Sequence, residues 1–348
     1  MSLVATLTQP LRSRYAQQMD KNEVRASRYG AWDLFNQDTN LANGILTPEN
    51  KAALRASFGN TVQIPVMPAN SDVTISNVRS CTIPDAENTS ALITVTWMTF
   101  AFSITQYPAQ YRNNDVGYQA DYDRKLDERL IKLAGLLDSQ AITTLEANKN
   151  QFWTGITGVP YAVVANALQV SQALLPDFYN TIPSILARMD FYDGGVDVLS
   201  SPHALPWLNR NRQDPDQNFQ FNNYDWFMTN RMVPGGGIQS AGFLMKPGSV
   251  AVQTRIDPDA EARSRVGEFM EWDNIVMPLP GTQYAIPMGV FYRKDCADGT
   301  PIQAGMAGLT RTLREAWEFS FDIAFISVYN SNIAGRFNPI IKFEISNA

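Results

Sequence analysis

The chain has 348 residues, 45% hydrophobic and 18% charged, which is enough apolar material for a sizeable core and a length that fits two domains or one large elaborated one. With 28 Lys and Arg against 34 Asp and Glu, the net charge is −6, which argues against tight sequence-independent binding to phosphate backbones. Sparse surface charge leaves much surface suited to meeting other protein, and Cys81 and Cys296, far apart with no CxxC, exclude a disulfide framework and a cysteine zinc site and fit a reduced compartment.

Residues 1–10 lack the basic start and sustained apolar run of a secretory signal. Over 9–35 the sequence is polar, with Arg12, Arg14, Lys21, Arg25 and Arg28 interleaved with Tyr15, Tyr29 and Trp32. Without a wide apolar stripe, this stretch reads as an arm or weak amphipathic helix that lies on a neighbour. A loop is expected over 36–46. Thr47-Pro48-Glu49 then starts a short helix, with Thr47 as cap, Pro48 in the first turn and Glu49 at the positive end of the dipole; it stops near Gly59.

Over 62–105 the pattern is the most β-like of the first half. Val62, Ile64 and Val66 alternate, a turn follows at 68–71, and the proline-containing polar tip 82–89 separates two extended strands. On the return strand Leu92 does not alternate, Ile93, Val95 and Trp97 share one face, and Met98, Phe100, Phe102 and Ile104 share the other. Such a phase change is what a β-bulge or a change of covering partner produces. The most apolar stretch, 91–104, is broken by Thr94, Thr96, Thr99 and Ser103 and is shorter than the roughly 20 residues a membrane-spanning helix needs.

No proline occurs over 121–147, where Tyr122, Leu126, Leu130, Leu133, Leu137, Ala141 and Leu145 recur at helical spacing. This predicts the longest helix of the chain, roughly 40 Å at 1.5 Å per residue. Beyond Trp153 the pattern mixes α and β: a helix over 181–189, a strand over 196–199, a polar loop over 209–223, a helix or turn over 226–232, and strands over 243–245 and 249–253. Strands and loops follow over 260–265, 275–277 and 284–292. Trp317, Phe319, Phe321, Ile323 and Phe325 then alternate with Glu318, Ser320, Asp322 and Ala324, a half-buried strand by pattern, and Pro339 precedes a short closing strand of Ile341, Phe343 and Ile345.

The chemistry-bearing residues are few. A single histidine, His203, bracketed by Pro202 and Pro206, excludes a two-histidine metal site or histidine relay within one chain and reads as a turn residue. Gly235-Gly236-Gly237 lacks the spacing of a phosphate loop or dinucleotide fold and reads as a loop. The runs 214–218 and 257–261 place oxygens at calcium-loop spacing, but Phe219 and Ala262 stand where the loop glycine belongs, so both read as proline turns. Carboxylate pairs for glycoside hydrolysis are recognised in space rather than in sequence, so a hydrolase stays among the readings, and 7 Trp and 13 Tyr supply stacking material that fits a core as well.

The order of an arm, a short helix, a long β ribbon, one long helix, a mixed α/β unit, a strand pair and a last strand resembles the major capsid proteins of tailed bacteriophages, the Hong Kong 97 fold. The likeness spans nearly the whole chain. At residue level it rests on 126–149, LDERLIKLAGLLDSQAITTLEANK, similar to that family's spine helix, with Asp138, Ala141 and Ile142 in its latter half. It rests also on 317–329 followed by Asn338-Pro339-Ile340-Ile341-Lys342, similar to the family's late strand, proline and closing strand.

The resemblance implies an α+β chain with an N-terminal arm (1–60), an extended β-hairpin loop (61–110), a peripheral domain with the spine helix (111–154), an axial domain (155–310), peripheral-domain strands (311–337) and a closing axial strand (338–348). The implied function is a structural protein, not an enzyme, that self-assembles into hexamers and pentamers of an icosahedral shell. The shell would enclose viral DNA without sequence-specific binding, be built in the host cytoplasm and end in the virion, with no cofactor, no metal and no membrane. Arms and extended loops of that family lie over neighbouring subunits, so Trp32, Pro84, Trp97, Phe100 and Phe102 are expected at subunit interfaces. Implied partners are further copies of the chain, a portal and decoration proteins.

Two departures from the family pattern carry expectations of their own. No lysine occurs between Lys51 and Lys125, so an extended-loop lysine crosslink cannot form and the shell should be held non-covalently. About 60 residues precede the ribbon, too few for a fused scaffolding segment, which implies a separate scaffolding protein or a trimmed chain. Arg124, Arg129 and Lys132 on the long helix face DNA or a neighbour, or simply form its solvated side. The rival readings are an encapsulin-like compartment shell, a jelly-roll capsid protein, against which the long helix counts, and a carboxylate-dependent hydrolase.

Overall fold

The computed structural model describes residues 29–42, 44–57, 59–66, 91–111, 114–153, 161–189, 191, 194–202, 224–232, 237–258, 271–282, 284–298, 311–327 and 337–346. They form an α+β arrangement of a two-stranded ribbon, a five-stranded sheet and a six-stranded sheet with four α-helices.

Helix α1 (Gly30–Asn40) is the first described element; it corrects the expectation that 29–35 lacks a stripe to anchor it to its own core and that the loop begins at 36, while 9–28 lie outside the described residues. Ala31, Leu34, Phe35 and Asp38 lie at i, i+3, i+4 and i+7, and with Trp32 they are buried in the chain's own core. The stripe was hidden because an acid, Asp38, occupies one of its positions and because the preceding residues dilute it. Helix α2 (Pro48–Ala56) starts as expected: Thr47 Oγ1 accepts the Asn50 N–H at 3.3 Å, and Pro48 lies in the first turn.

Strands β1 (Thr61–Val66) and β2 (Ala91–Thr96) pair antiparallel, Val62 opposite Val95 and Ile64 opposite Ile93, so one ribbon face is apolar. Strand β3 (Met98–Gln106) follows after the single residue Trp97 and joins a different sheet. The phase change between Trp97 and Met98 is this exchange of partner. The extended loop read as 61–110 therefore ends, as a ribbon, before Met98. The polar tip containing Pro84 lies outside the described residues, as do His203, the loop 209–223, the glycine cluster at 235–236 and the run 260–265.

Helix α3 (Asp115–Ala147) runs 33 residues, about 50 Å at 1.5 Å per residue. All seven stripe residues, Tyr122 to Leu145, are buried. The helix begins one and a half turns before the expected start because Asn114 Oδ1 caps it, accepting the Gly117 N–H at 2.8 Å. Glycine at 117 and the exposed Val116 concealed that first turn.

The second unit comprises β4 (Ala162–Val164), β5 (Ala167–Ser171), α4 (Leu175–Arg188), β6 (Val196–Ser200), β7 (Tyr224–Met228) and β8 (Ile238–Met245). The sheet order is β4-β5-β13-β8-β6-β7, where β13 (Ile341–Ser346) is the closing strand, parallel to β5 and antiparallel to β8. Leu175, Phe178, Ile182 and Leu186 of α4 pack on one face of this sheet with Val198, Leu244 and Phe343. Where a helix or turn is expected over 226–232, residues 226–228 belong to the strand β7 and the turn follows at 230–231, because Trp226 pairs in parallel with Val198 and tertiary pairing overrides the mixed local pattern.

The five-stranded sheet contains β9 (Val250–Arg255), β10 (Glu271–Pro278), β11 (Ala285–Asp298) and β12 (Arg311–Ser327) together with β3. The expected 155–310 unit thus divides, since β9, β10 and β11 join the late strand rather than the α4 sheet. Along β12, Trp317, Phe319, Phe321 and Ile323 stand opposite Ile104, Phe102, Phe100 and Met98 and belong with α3 to one core. Phe102 stacks on Phe319 at 4.7 Å, and Tyr122 of α3 meets Trp317 edge-on at 5.0 Å. The pattern predicts a half-buried strand, but in the later half of β12 the even-numbered face is covered as well, because Ala324 and Ile326 pack with Ala251, Ile64, Val95 and Trp97 at the base of the ribbon.

Candidate assembly site at the ribbon base and helix α1

The ribbon leaves the body at a buried charged knot. Asp322 of β12 lies in register with Thr99 of β3 on one side and Arg255 of β9 on the other. The Thr99 hydroxyl donates to Asp322 Oδ1 at 2.7 Å, and Arg255 Nε and Nη2 both reach Oδ2 at 2.9 Å. The remaining donors of Arg255 bind the chain between α2 and β1: Nη1 donates to the Ser57 carbonyl and to its hydroxyl at 2.9 Å, and Nη2 donates to the Gly59 carbonyl at 3.1 Å. The guanidinium also lies 4.3 Å from the centre of the Trp97 ring. Trp97 N–H in turn donates to the Asn60 carbonyl at 2.8 Å. One arginine thus ties both strands of the ribbon to the central strand of the sheet, a task suited to a planar group with five donors.

Helix α1 is held at its N-terminus by an acid from another helix and near its C-terminus by its own Asp38 and Thr39. At its N-terminus Asp138 of α3 accepts the Ala31 N–H at 2.9 Å and the Trp32 N–H at 3.1 Å, while its other oxygen accepts from the Thr229 hydroxyl. Asp138 supplies from another helix the cap that Tyr29 does not give, and its charge meets the positive end of the α1 dipole. Burial pushes the Asp138 carboxyl above the usual range, and the hydrogen bonds from Thr229, Trp32 and Ala31 pull against it. The fit is close: a Cβ on Gly30 would stand 2.4 Å from the Met228 carbonyl oxygen, and one on Gly135 would stand 2.3 Å from Arg231 Nη2. At the other end Thr39 Oγ1 accepts the Val252 N–H at 2.7 Å, and Asp38 Oδ2 accepts the Val250 N–H at 3.3 Å beside Asp197 of β6.

The residues expected at subunit interfaces fall into distinct classes. Trp32 is 1% exposed and touches Phe325, so it is a core residue of its own chain with no surface left for a neighbour. Trp97 is likewise buried, under Arg255. Phe100 and Phe102 are half-buried on β3, stacked on Phe321 and Phe319, and keep an outward edge. Pro84 lies outside the described residues. Missed in the sequence were Leu92, 59% exposed on the ribbon, and Val276, 60% exposed on β10, an edge strand. Also missed were Asp138, Asp38 and Asp197. A signal existed for Asp138, which sits on the apolar stripe of α3 between Ala134 and Ala141, where an acid must be partnered.

The Asp38 and Asp197 carboxyls are not a hydrolase pair, since each is 1% exposed. Among the described residues no group of three or more His, Cys, Asp or Glu side chains is placed to hold a metal ion, and no helix is long and apolar enough to cross a membrane.

No family model matches the sequence, and no curated protein matches it. Among solved structures, the chain is similar to one from Mycobacterium phage Che8 at 11% identity and a TM-score of 0.40, covering 88% of this chain and 90% of that one. It is similar to the capsid of Myoviridae phage XM1 at 10% identity and a TM-score of 0.42, covering 82% and 86%. It is also similar to the capsid of Ralstonia phage GP4 at 11% identity and a TM-score of 0.39, covering 83% and 84%.

Proposed function

We propose that the chain is a shell-forming major capsid protein of the Hong Kong 97 type. The observation that carries this reading is the β1–β2 ribbon, which among the described residues pairs with no third strand and is anchored at its base. A two-stranded ribbon with open edges is marginal in water, so a chain that builds a buried five-donor clamp to aim one has a use for it on another molecule. The 33-residue helix α3 under the five-stranded sheet, the ribbon preceding it and the closing strand returning to the α4 sheet are the order the family resemblance implies.

In this reading 98–153 with 250–327 form the peripheral domain and 161–245 with 341–346 the axial domain, packed as hexamers and pentamers of a closed shell around DNA. Ribbons rest on neighbouring subunits through Leu92, while Phe100 and Phe102 offer their open edges. Scaffolding, portal and decoration proteins are the remaining partners, assembly proceeds in the host cytoplasm, and the finished location is the virion.

The test is electron microscopy of negatively stained protein over a concentration series, with light scattering alongside. Closed shells, or hexameric and pentameric rings, are expected, and shells without nucleic acid but with protein cargo would favour a compartment shell of the same architecture. A strictly monomeric particle at every concentration would overturn the reading.

A further inference from the structure

Asp38 on α1 and Asp197 on β6 are both 1% exposed, yet they are supplied very differently. Asp38 receives backbone N–H groups of the turn between β8 and β9, from Gly248, Ser249 and Val250. Neither oxygen of Asp197 has an N–H or hydroxyl donor. What faces Asp197 is acid: Asp38 itself, and Asp225 of β7, which stands in register with it and is held by Gln37 Nε2 at 2.8 Å. On the elements packed here, Lys51 of α2 donates to the Thr39 carbonyl and Arg255 of β9 is engaged with Asp322. Two dry carboxylates in contact cannot both be ionised, so the one without donors keeps a proton and gives it to the one that has them.

We propose that this shared proton is a latch that fastens the last turn of α1 to β6, and that removing it loosens that turn, which then keeps its hold through Thr39 and the backbone donors to Asp38 alone. Opening is a single proton transfer: the Asp197 O–H bond breaks, the proton passes to hydroxide or a buffer base, and two carboxylates are left facing each other. The loosened turn is the segment that leads, through 41–47, to α2 and the base of the ribbon, so the latch sets how firmly the first part of the chain is seated. The inference rests on the α1–β6 contact alone and stands whether or not the chain forms shells. Burial, and then the Asp38 carboxylate, push Asp197 up to about 9, while burial holds Asp38 at about 6, so the latch is closed at neutral pH and opens in alkali.

Hydrogen exchange of the full-length chain, corrected for the intrinsic pH dependence of exchange, tests this between about pH 7 and pH 10. Protection over 34–42 is expected to fall about tenfold relative to 126–145. Asp197→Asn, whose amide donates to Asp38 at any pH, should retain protection throughout. Asp225→Asn, an exposed change that keeps an acceptor for Gln37, removes a charge that raises Asp197 and should move the loss to lower pH. At neutral pH the infrared carbonyl stretch of a protonated carboxyl should be present in the wild type. Absence of that band, no loss of protection in alkali, an unchanged loss in Asp197→Asn or an unmoved profile in Asp225→Asn would each overturn the latch.

Discussion

Arg255 and Asp322 stand opposite each other on β9 and β12 and close an ion pair at 2.9 Å in which both side chains are almost fully buried. A pair so placed is costly to break from one side, because the survivor is a buried charge without its partner. Here the arginine also carries the chain between α2 and β1, so losing it loosens the ribbon as well as the sheet.

Arg255→Met is therefore expected to lower stability by about 3–5 kcal/mol in denaturant titration, and Asp322→Leu by a similar amount. The double variant should recover most of the loss, since two apolar side chains fill the site without an orphan charge. Arg255→Lys should not rescue, because one ammonium cannot serve Asp322, Ser57 and Gly59 together.

The capping of α1 by Asp138 is separable from its charge. Asp138→Asn keeps an oxygen for Ala31 and Trp32 and should cost about 1 kcal/mol, whereas Asp138→Ala strands those N–H groups and should cost about 2–3 kcal/mol. Gly30→Ala should resemble the larger loss, since its Cβ meets backbone at Met228 rather than a side chain that can turn away. Denaturant midpoints, with hydrogen exchange of 30–36, distinguish these outcomes.

Stability should also depend on pH through Asp197. The folded chain holds this proton up to about 9, while an unfolded aspartate releases it near 3.8, so the folded state binds more protons between those values. The contribution of this group to stability is full below the lower value and is lost as pH rises towards the upper one, by at most about 1.4 kcal/mol per pH unit. Unfolding free energies of wild type and Asp197→Asn measured from about pH 5 to pH 9 should diverge with rising pH, the variant becoming the more stable.

Surface and core positions of the ribbon should respond in opposite ways. Leu92→Asp lies on the exposed face and should leave stability within about 0.5 kcal/mol while abolishing assembly in light scattering. Trp97→Ala removes a buried ring beneath Arg255 and should cost about 3–5 kcal/mol before assembly is reached.

Half-buried aromatics on β3 give an intermediate case. Phe102→Ala loses stacking on Phe319 and part of its buried area, about 1–3 kcal/mol, and should weaken assembly further than that loss alone explains. A matched comparison with Phe319→Ala, whose ring is fully buried, isolates the second effect.

The amino-acid sequence by itself determined the elements whose pattern is local. The stripe from Tyr122 to Leu145 specifies α3, because one wide apolar face over many turns admits no other period, and Thr47-Pro48 fixes the start of α2 through groups within one turn. The break at Trp97 was legible too, since a change of face in a strand has few causes. Only the tertiary structure decided what each acid does. Asp138, Asp38, Asp197 and Asp322 look alike in sequence, but one caps a distant helix, two share a proton and one anchors the ribbon, according to which donors the fold brings to each. Trp32 passed from arm to core for the same reason: its burial depends on α3 and β12, which lie far along the chain and supply the surface that its own neighbours lack.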